Sequence, residues 1–218
     1  MCTLNVVQTH ASPSAQERSG KQNFPGPEFT IRPTSIHFTG RDDILHRIHE
    51  NFPSREDVDH ETHPVVLHGA SGIGKTEIAL QYAHQFYTEY ESVFWIDATN
   101  EETAIDSMLR CQEAILYHCR RPELTETHQC QGIMHTIGMS SQPSQDEQGR
   151  DLAEKSFLSW LKLRENPQWL LILDNLNPSQ SVDLGWPWSI LHAMDKPSRG
   201  NTIITTRDPD TAWNLHSE

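Results

Sequence analysis

The segment Gly69-Ala70-Ser71-Gly72-Ile73-Gly74-Lys75-Thr76 matches the pattern G-x-x-x-x-G-K-[ST]. No other stretch restricts the fold so much, because such a loop works only between a buried strand and the start of a helix. Its glycines let the backbone turn tightly and approach a polyanion with no Cβ in the way. The loop's N–H groups then form a concave anion nest, and the following helix adds its positive N-terminal end. Lys75 has the reach for β- and γ-phosphates, and the Thr76 hydroxyl is suited to Mg²⁺. Ala70, Ser71 and Ile73 supply the remaining main-chain amides of the cradle.

The flanking text agrees. Pro64-Val65-Val66-Leu67 is a short apolar run that predicts a buried strand. Ile78, Ala79, Tyr82, Ala83 and Phe86 recur on one face of a helix expected over 75–88. The competing reading is a Gly-Ser turn before an ordinary helix, and the strand–loop–helix order argues against it.

Further elements follow along the chain. Asp42 is a candidate N-cap for a helix carrying Ile44, Leu45, Ile48 and Phe52. Residues 92–97 predict a second strand, 101–118 a helix, and 151–163 another. Trp169 to Leu173 predicts a strand buried on both faces. Residues 186–194 suggest a short helix, and 202–205 a last strand. Strands alternating with helices predict an α/β fold with a parallel sheet flanked by helices. Residues 1–34, rich in Ser, Pro, Gln and Gly, are expected to form a disordered tail, and 119–150 a flexible insertion.

Composition narrows the function classes. The 218-residue chain has a formal net charge of -13. Neutralising nucleic-acid phosphates or an anionic membrane needs excess Lys and Arg, so neither is an expected partner. No apolar run approaches the length of a membrane span, and the N-terminus lacks a secretory pattern. Four cysteines beside a phosphate loop point to reduced thiols and a cytoplasmic setting. Cys111, His118, Cys119, His128, Cys130 and His135 lack zinc-finger spacing. Phe94, Trp95 and Trp169 suit core packing better than base stacking.

Two more residues complete the candidate chemistry. Asp174 ends the apolar run Leu170-Leu171-Ile172-Leu173, where ligands bind in parallel sheets. It would join the Mg²⁺ shell through a water; by itself, such an Asp can equally start a turn. Asn175 follows, and an amide cannot take a proton from an attacking water. Arg207 closes the last strand after Thr205-Thr206, and its planar fork suits phosphate oxygens. Its alternative role is to cap a turn with Asp208.

Taken with Phe38-Thr39-Gly40-Arg41 upstream and Val93-Phe94-Trp95-Ile96-Asp97-Ala98 after the first helix, these pieces resemble the NB-ARC class of STAND P-loop NTPases. This is the nucleotide switch of NOD-like receptors, and the likeness is to filamentous-fungal members. The resemblance covers roughly residues 36–208. It implies that the backbone from Phe38 through Gly40 and Arg41 lies against adenine and ribose. Lys75 and Thr76 would hold phosphates and Mg²⁺, Asp174 would sit in the metal shell, and Arg207 would read the γ-phosphate. Asp174 and Arg207 are thus the expected catalytic-site pair. The strand ending at Arg207 should lie between the phosphate-loop strand and the Asp174 strand. ADP or ATP, with Mg²⁺, is the implied ligand, exchanged in a switch with slow or no hydrolysis; the alternatives are an active P-loop ATPase using the same pocket and a vestigial interaction fragment without nucleotide turnover. Homo-oligomerisation belongs to a full-length form. The family continues with a fifth strand, a Gly-Leu-Pro-Leu segment and a winged-helix lid, then repeat sensors. None of these precedes Glu218, so residues 35–218 read as a partial domain. Two expectations follow: the phosphate-loop strand becomes a sheet edge, and nucleotide binds weakly and exchanges fast.

Overall fold

The computed structural model describes residues 5–6, 31, 33–52, 63–90, 92–119, 154–155, 157–162, 168–176 and 200–209. The strands are β1 (Asn5–Val6), β2 (Val65–His68), β3 (Ser92–Asp97), β4 (Trp169–Leu176) and β5 (Asn201–Thr206). The helices are α1 (Asp42–Glu50), α2 (Lys75–Gln85) and α3 (Glu101–Cys119), with a single 3₁₀ turn at Tyr87–Glu89. Residues 154–155 and 157–161 are also helical. The expected helix at 186–194, the body of the insertion and most of the N-terminal tail lie outside the described residues.

The sheet order is β1-β2-β5-β4-β3. β2, β5, β4 and β3 are parallel, and β1 joins β2 antiparallel. The strand that ends before Arg207 therefore lies between the glycine-loop strand and the Asp174 strand, the order the resemblance implies. One expectation is corrected. β2 is not an open edge, because Asn5 and Val6 pair with His68 and Leu67. The strand beside β2 is a two-residue antiparallel one from the N-terminal stretch, distinct from the strand that the resemblance places after Arg207. The backbone groups of an exposed edge invite pairing, and here a nearby segment of the same chain takes that place.

Alternation along the strands divides the core into two layers. Val66, Phe94, Ile96, Leu171, Leu173 and Ile204 face α3 and the helical residues Phe157, Trp160 and Leu161. Val65, Leu67, Val93, Leu170, Ile172 and Ile203 face α1 and α2. Burial on both sides explains why β4 reads as an unbroken apolar run rather than an alternating one. Phe94 stands edge-on to Phe157 and Trp160, with centroids 5.2 and 5.0 Å apart, so it is a core residue as expected. Trp169 is 1% exposed, and its Nε1–H donates to the Leu161 carbonyl at 3.1 Å.

Helix starts follow local chemistry. At α3, Thr103 N–H donates to Asn100 Oδ1 at 3.0 Å, and Asn100 N–H donates to Thr103 Oγ1 at 3.3 Å. That reciprocal pair satisfies two amides no helical carbonyl can reach. At α1 the N-cap is Arg41, not Asp42. Arg41 adopts φ 68°, offers no side-chain cap, and accepts the Ile44 and Leu45 amides on its carbonyl. Asp42 is instead the first helical residue, where a carboxylate complements the helix dipole.

Candidate functional site

The C-terminal ends of β2, β5 and β4 meet at one rim of the sheet, where parallel α/β sheets present ligand sites. The glycine loop leaves β2 there. Its first amide, Gly69 N–H, donates to the Thr206 carbonyl at 3.3 Å, tying the loop's start to the neighbouring strand. Gly74 has φ 98° and forms the N-cap of α2. A side chain at that backbone angle is strained, which is why this turn requires glycine.

Lys75 is buried at 7% exposure and curls back over the loop. Its Nζ donates to the Gly69 and Ala70 carbonyls, each at 2.8 Å. Burial lowers its pKa below the ordinary lysine value; the charge of Arg207 acts in the same sense and that of Asp174 against it. The three charges therefore share one neighbourhood. Arg207 itself is exposed at the end of β5.

Asp174 is 6% exposed and takes two hydroxyl donors on one oxygen. Thr76 Oγ1 donates to Oδ1 at 2.8 Å, and Thr205 Oγ1 donates to the same atom at 2.5 Å. The Thr76 contact joins the loop's last residue to the tip of β4. A β-bulge aims this carboxylate. Leu173 pairs with Ile204 and Leu176 with Thr206, so β4 spends one more residue than β5 over the same rise. Asn175 absorbs the excess at φ 63°. Its N–H leaves the ladder and donates to Thr205 Oγ1 at 2.9 Å, while its Nδ2 lies 3.4 Å from Asp174 Oδ2. Bulges commonly re-aim side chains beside active sites.

Phe38-Thr39-Gly40-Arg41 lies beside the first turn of α2. Ser35 N–H donates to Glu77 Oε2 at 3.0 Å, and half-buried Phe38 packs on the cluster containing Ile44, Ile48 and Ile78. Gly40 and Arg41 both adopt positive φ, 73° and 68°. Among the described residues the non-glycine positions with positive φ are Arg41, at the start of α1, and Asn175, near the end of β4. Such strain persists where the surroundings over-determine it, and functional sites are where it collects.

The donor set suits a hard cation. A threonine hydroxyl and one carboxylate are oxygen ligands, and Mg²⁺ characteristically takes one or two such groups together with phosphate oxygens and waters. No group of three or more His, Cys, Asp or Glu side chains that could hold a metal ion occurs among the described residues. Cys111 is buried in the core against the sheet, and the other cysteine and histidine positions considered for zinc lie outside the residues whose side chains are described. No described helix is long and apolar enough to cross a membrane.

The motif pattern named Gly69 to Thr76, Asp174 and Arg207, and the fold brings them to one rim. It contains Thr205 and Asp97 but assigned neither a role; the Thr205 hydroxyl touches Asp174, and Asp97 stands opposite Asp174 in the β3–β4 register. The adjacent threonines of Thr205-Thr206-Arg207 were visible as text, but alternation alone does not say which one turns toward β4. No protein-family model matches this chain, and a comparison with curated proteins returns no match.

Proposed function

We propose that this chain binds ADP and ATP with Mg²⁺ as the nucleotide switch module of a STAND, NB-ARC-like signalling protein. The observation that carries the reading is the convergence on one rim of a lysine folded over a glycine loop and a hydroxyl–carboxylate pair. The lysine is Lys75, and the pair is Thr76 with Asp174 at 2.8 Å. When nucleotide is bound, Lys75 exchanges its two loop carbonyls for phosphate oxygens. The loop amides and the N-terminus of α2 face the same anion. Mg²⁺, when bound, neutralises phosphate charge; Thr76 and Asp174 would hold it, directly or through water. Arg207 supplies a second cation at the end of the intervening strand, suited to a terminal phosphate. Phe38 to Arg41 would form the base side of the site, and adenine as the base follows from the resemblance.

Slow or absent turnover fits the residues around Asp174. Asn175 offers an amide where a general base would be useful. A working ATPase is the second reading, and Asp97 is the observation in its favour, being a carboxylate level with Asp174. Its Oδ1, however, already accepts the Thr99 amide at 3.1 Å and the Thr99 hydroxyl at 2.6 Å, a turn-holding role.

Equilibrium dialysis with labelled ADP and ATP tests the proposal. Retention by the wild type that is lost in Lys75→Ala is the expected result; no retention, or retention equal in both, overturns it. Steady-state phosphate release above about one per second, lost in the same variant, would favour the enzyme.

A further inference from the structure

We propose that Thr205 is a positioning residue for the metal-facing carboxylate, fixing which oxygen of Asp174 is left for a cation. The inference rests on the nucleotide reading above and gives a role to a residue to which the motif pattern assigns none.

Thr205 is 0% exposed, and its single hydroxyl makes two bonds with opposite sense. It accepts the Asn175 amide at 2.9 Å and donates to Asp174 Oδ1 at 2.5 Å. The amide it accepts is the one displaced from the ladder by the bulge. The hydroxyl therefore stabilises the bulge and orients the carboxylate that the bulge carries. A hydroxyl that accepts a hydrogen bond is also a better donor, so the two contacts reinforce one another.

The consequence is an asymmetry between the two carboxylate oxygens. Oδ1 receives Thr205 and Thr76, whereas Oδ2 meets the Asn175 amide group at 3.4 Å, a distance at which hydrogen bonding is weak. Two hydroxyl protons on one oxygen pin the rotation of the carboxylate about its last side-chain bond. Oδ2 is then the oxygen presented to Mg²⁺ or to a water in its shell. Such outer contacts orient ligands and set metal affinity. Thr205 is also two residues before Arg207, so the strand that carries the phosphate-reading cation is the strand that holds the metal carboxylate.

The test is a Mg²⁺ titration of binding by a fluorescent ADP analogue, repeated in EDTA, on the wild type, Thr205→Val, Thr205→Ser and Thr205→Cys. Valine keeps the shape and removes both hydrogen bonds. The half-saturating Mg²⁺ concentration is expected to rise about ten- to a hundredfold in Thr205→Val, with affinity in EDTA unchanged. Thr205→Ser is expected to restore the wild-type Mg²⁺ requirement. An unchanged Mg²⁺ requirement in Thr205→Val, or equal weakening with and without Mg²⁺, overturns the inference while leaving the nucleotide reading intact. If Thr205→Val shows no cooperative melt, Thr205→Cys decides. Its weakly donating thiol is expected to raise the Mg²⁺ requirement above that of Thr205→Ser, and equality of the two overturns the inference. A wild type that retains no analogue under any condition removes the nucleotide reading and this inference with it.

Discussion

Thr76 donates its hydroxyl hydrogen to Asp174 Oδ1 across 2.8 Å, although 98 positions separate the two in the chain. The contact joins the first turn of α2 to the tip of β4. Each partner can also offer a lone pair to one cation, and the proposed function depends on that double use.

Both residues share one hydrogen bond and, in the proposed function, one metal, so their losses should not add. Thr76→Val and Asp174→Asn are each expected to weaken Mg²⁺-dependent ADP retention. The double variant should be little worse than the poorer single one. Titration calorimetry with and without Mg²⁺ measures this, and fully additive losses would separate the two residues functionally.

Gly200 precedes β5 and lies against the Trp169 ring. A Cβ added there would stand 2.0 Å from Trp169 Cε2, and the ring is held by its bond to the Leu161 carbonyl. Gly200→Ala must therefore push the indole or the strand start. A destabilisation of at least about 1–3 kcal/mol is expected from such overpacking, visible as a lower midpoint in urea. A midpoint equal to the wild type would show that the indole repacks freely.

The start of α3 depends on the reciprocal Asn100–Thr103 bonds. Asn100→Ala is expected to cost about 0.5–2 kcal/mol, and Asn100→Asp or Asn100→Ser much less. Thermal melts of the three variants rank them; an Ala variant as stable as the Asp variant would mean the cap adds nothing.

Tyr82 and Tyr90 make the fold sensitive to alkali. Their hydroxyls are 2.9 Å apart, and Asn201 Nδ2 donates to Tyr90 at 3.1 Å. Burial raises the Tyr90 pKa from 10.0 to about 12 and pushes Tyr82 well above its ordinary value. Above pH 10 the unfolded chain releases these protons while the folded chain keeps them, so stability falls as pH rises. Below pH 10 both states hold the protons and the contribution is complete. Stability should thus drop between about pH 10 and 12 for Tyr90 and beyond for Tyr82. Tyr90→Phe should flatten the drop, with tyrosinate absorbance as the second probe. An equally steep loss in that variant would assign the transition to other groups.

Much of this protein was determined by local pattern. Glycine spacing, the apolar run ending in Asp174 and the helical stripe of Ile78, Ala79, Tyr82 and Ala83 each depend on neighbours a few residues away, so periodicity exposes them. The parallel α/β class follows from the alternation of such elements. Helix and strand ends moved by a few residues, as at α2, which ends at Gln85 and gives way to a 3₁₀ turn rather than continuing to 88.

Tertiary structure alone decided three things. The edge of β2 is covered by Asn5–Val6, a run of two residues too short to predict a strand and held as one by partner amides and carbonyls. Arg41 became an N-cap with positive φ because the chain entering α1 is held by Ser35 on Glu77 and by Phe38 on the core, against its intrinsic preference. Thr205 was joined to Asp174 by a bulge that shifts β4 against β5. Sequence spacing fixes which face a side chain takes within its own strand. It cannot fix the register between strands from distant parts of the chain, because long-range packing sets that register, and the register is what brings these two side chains together.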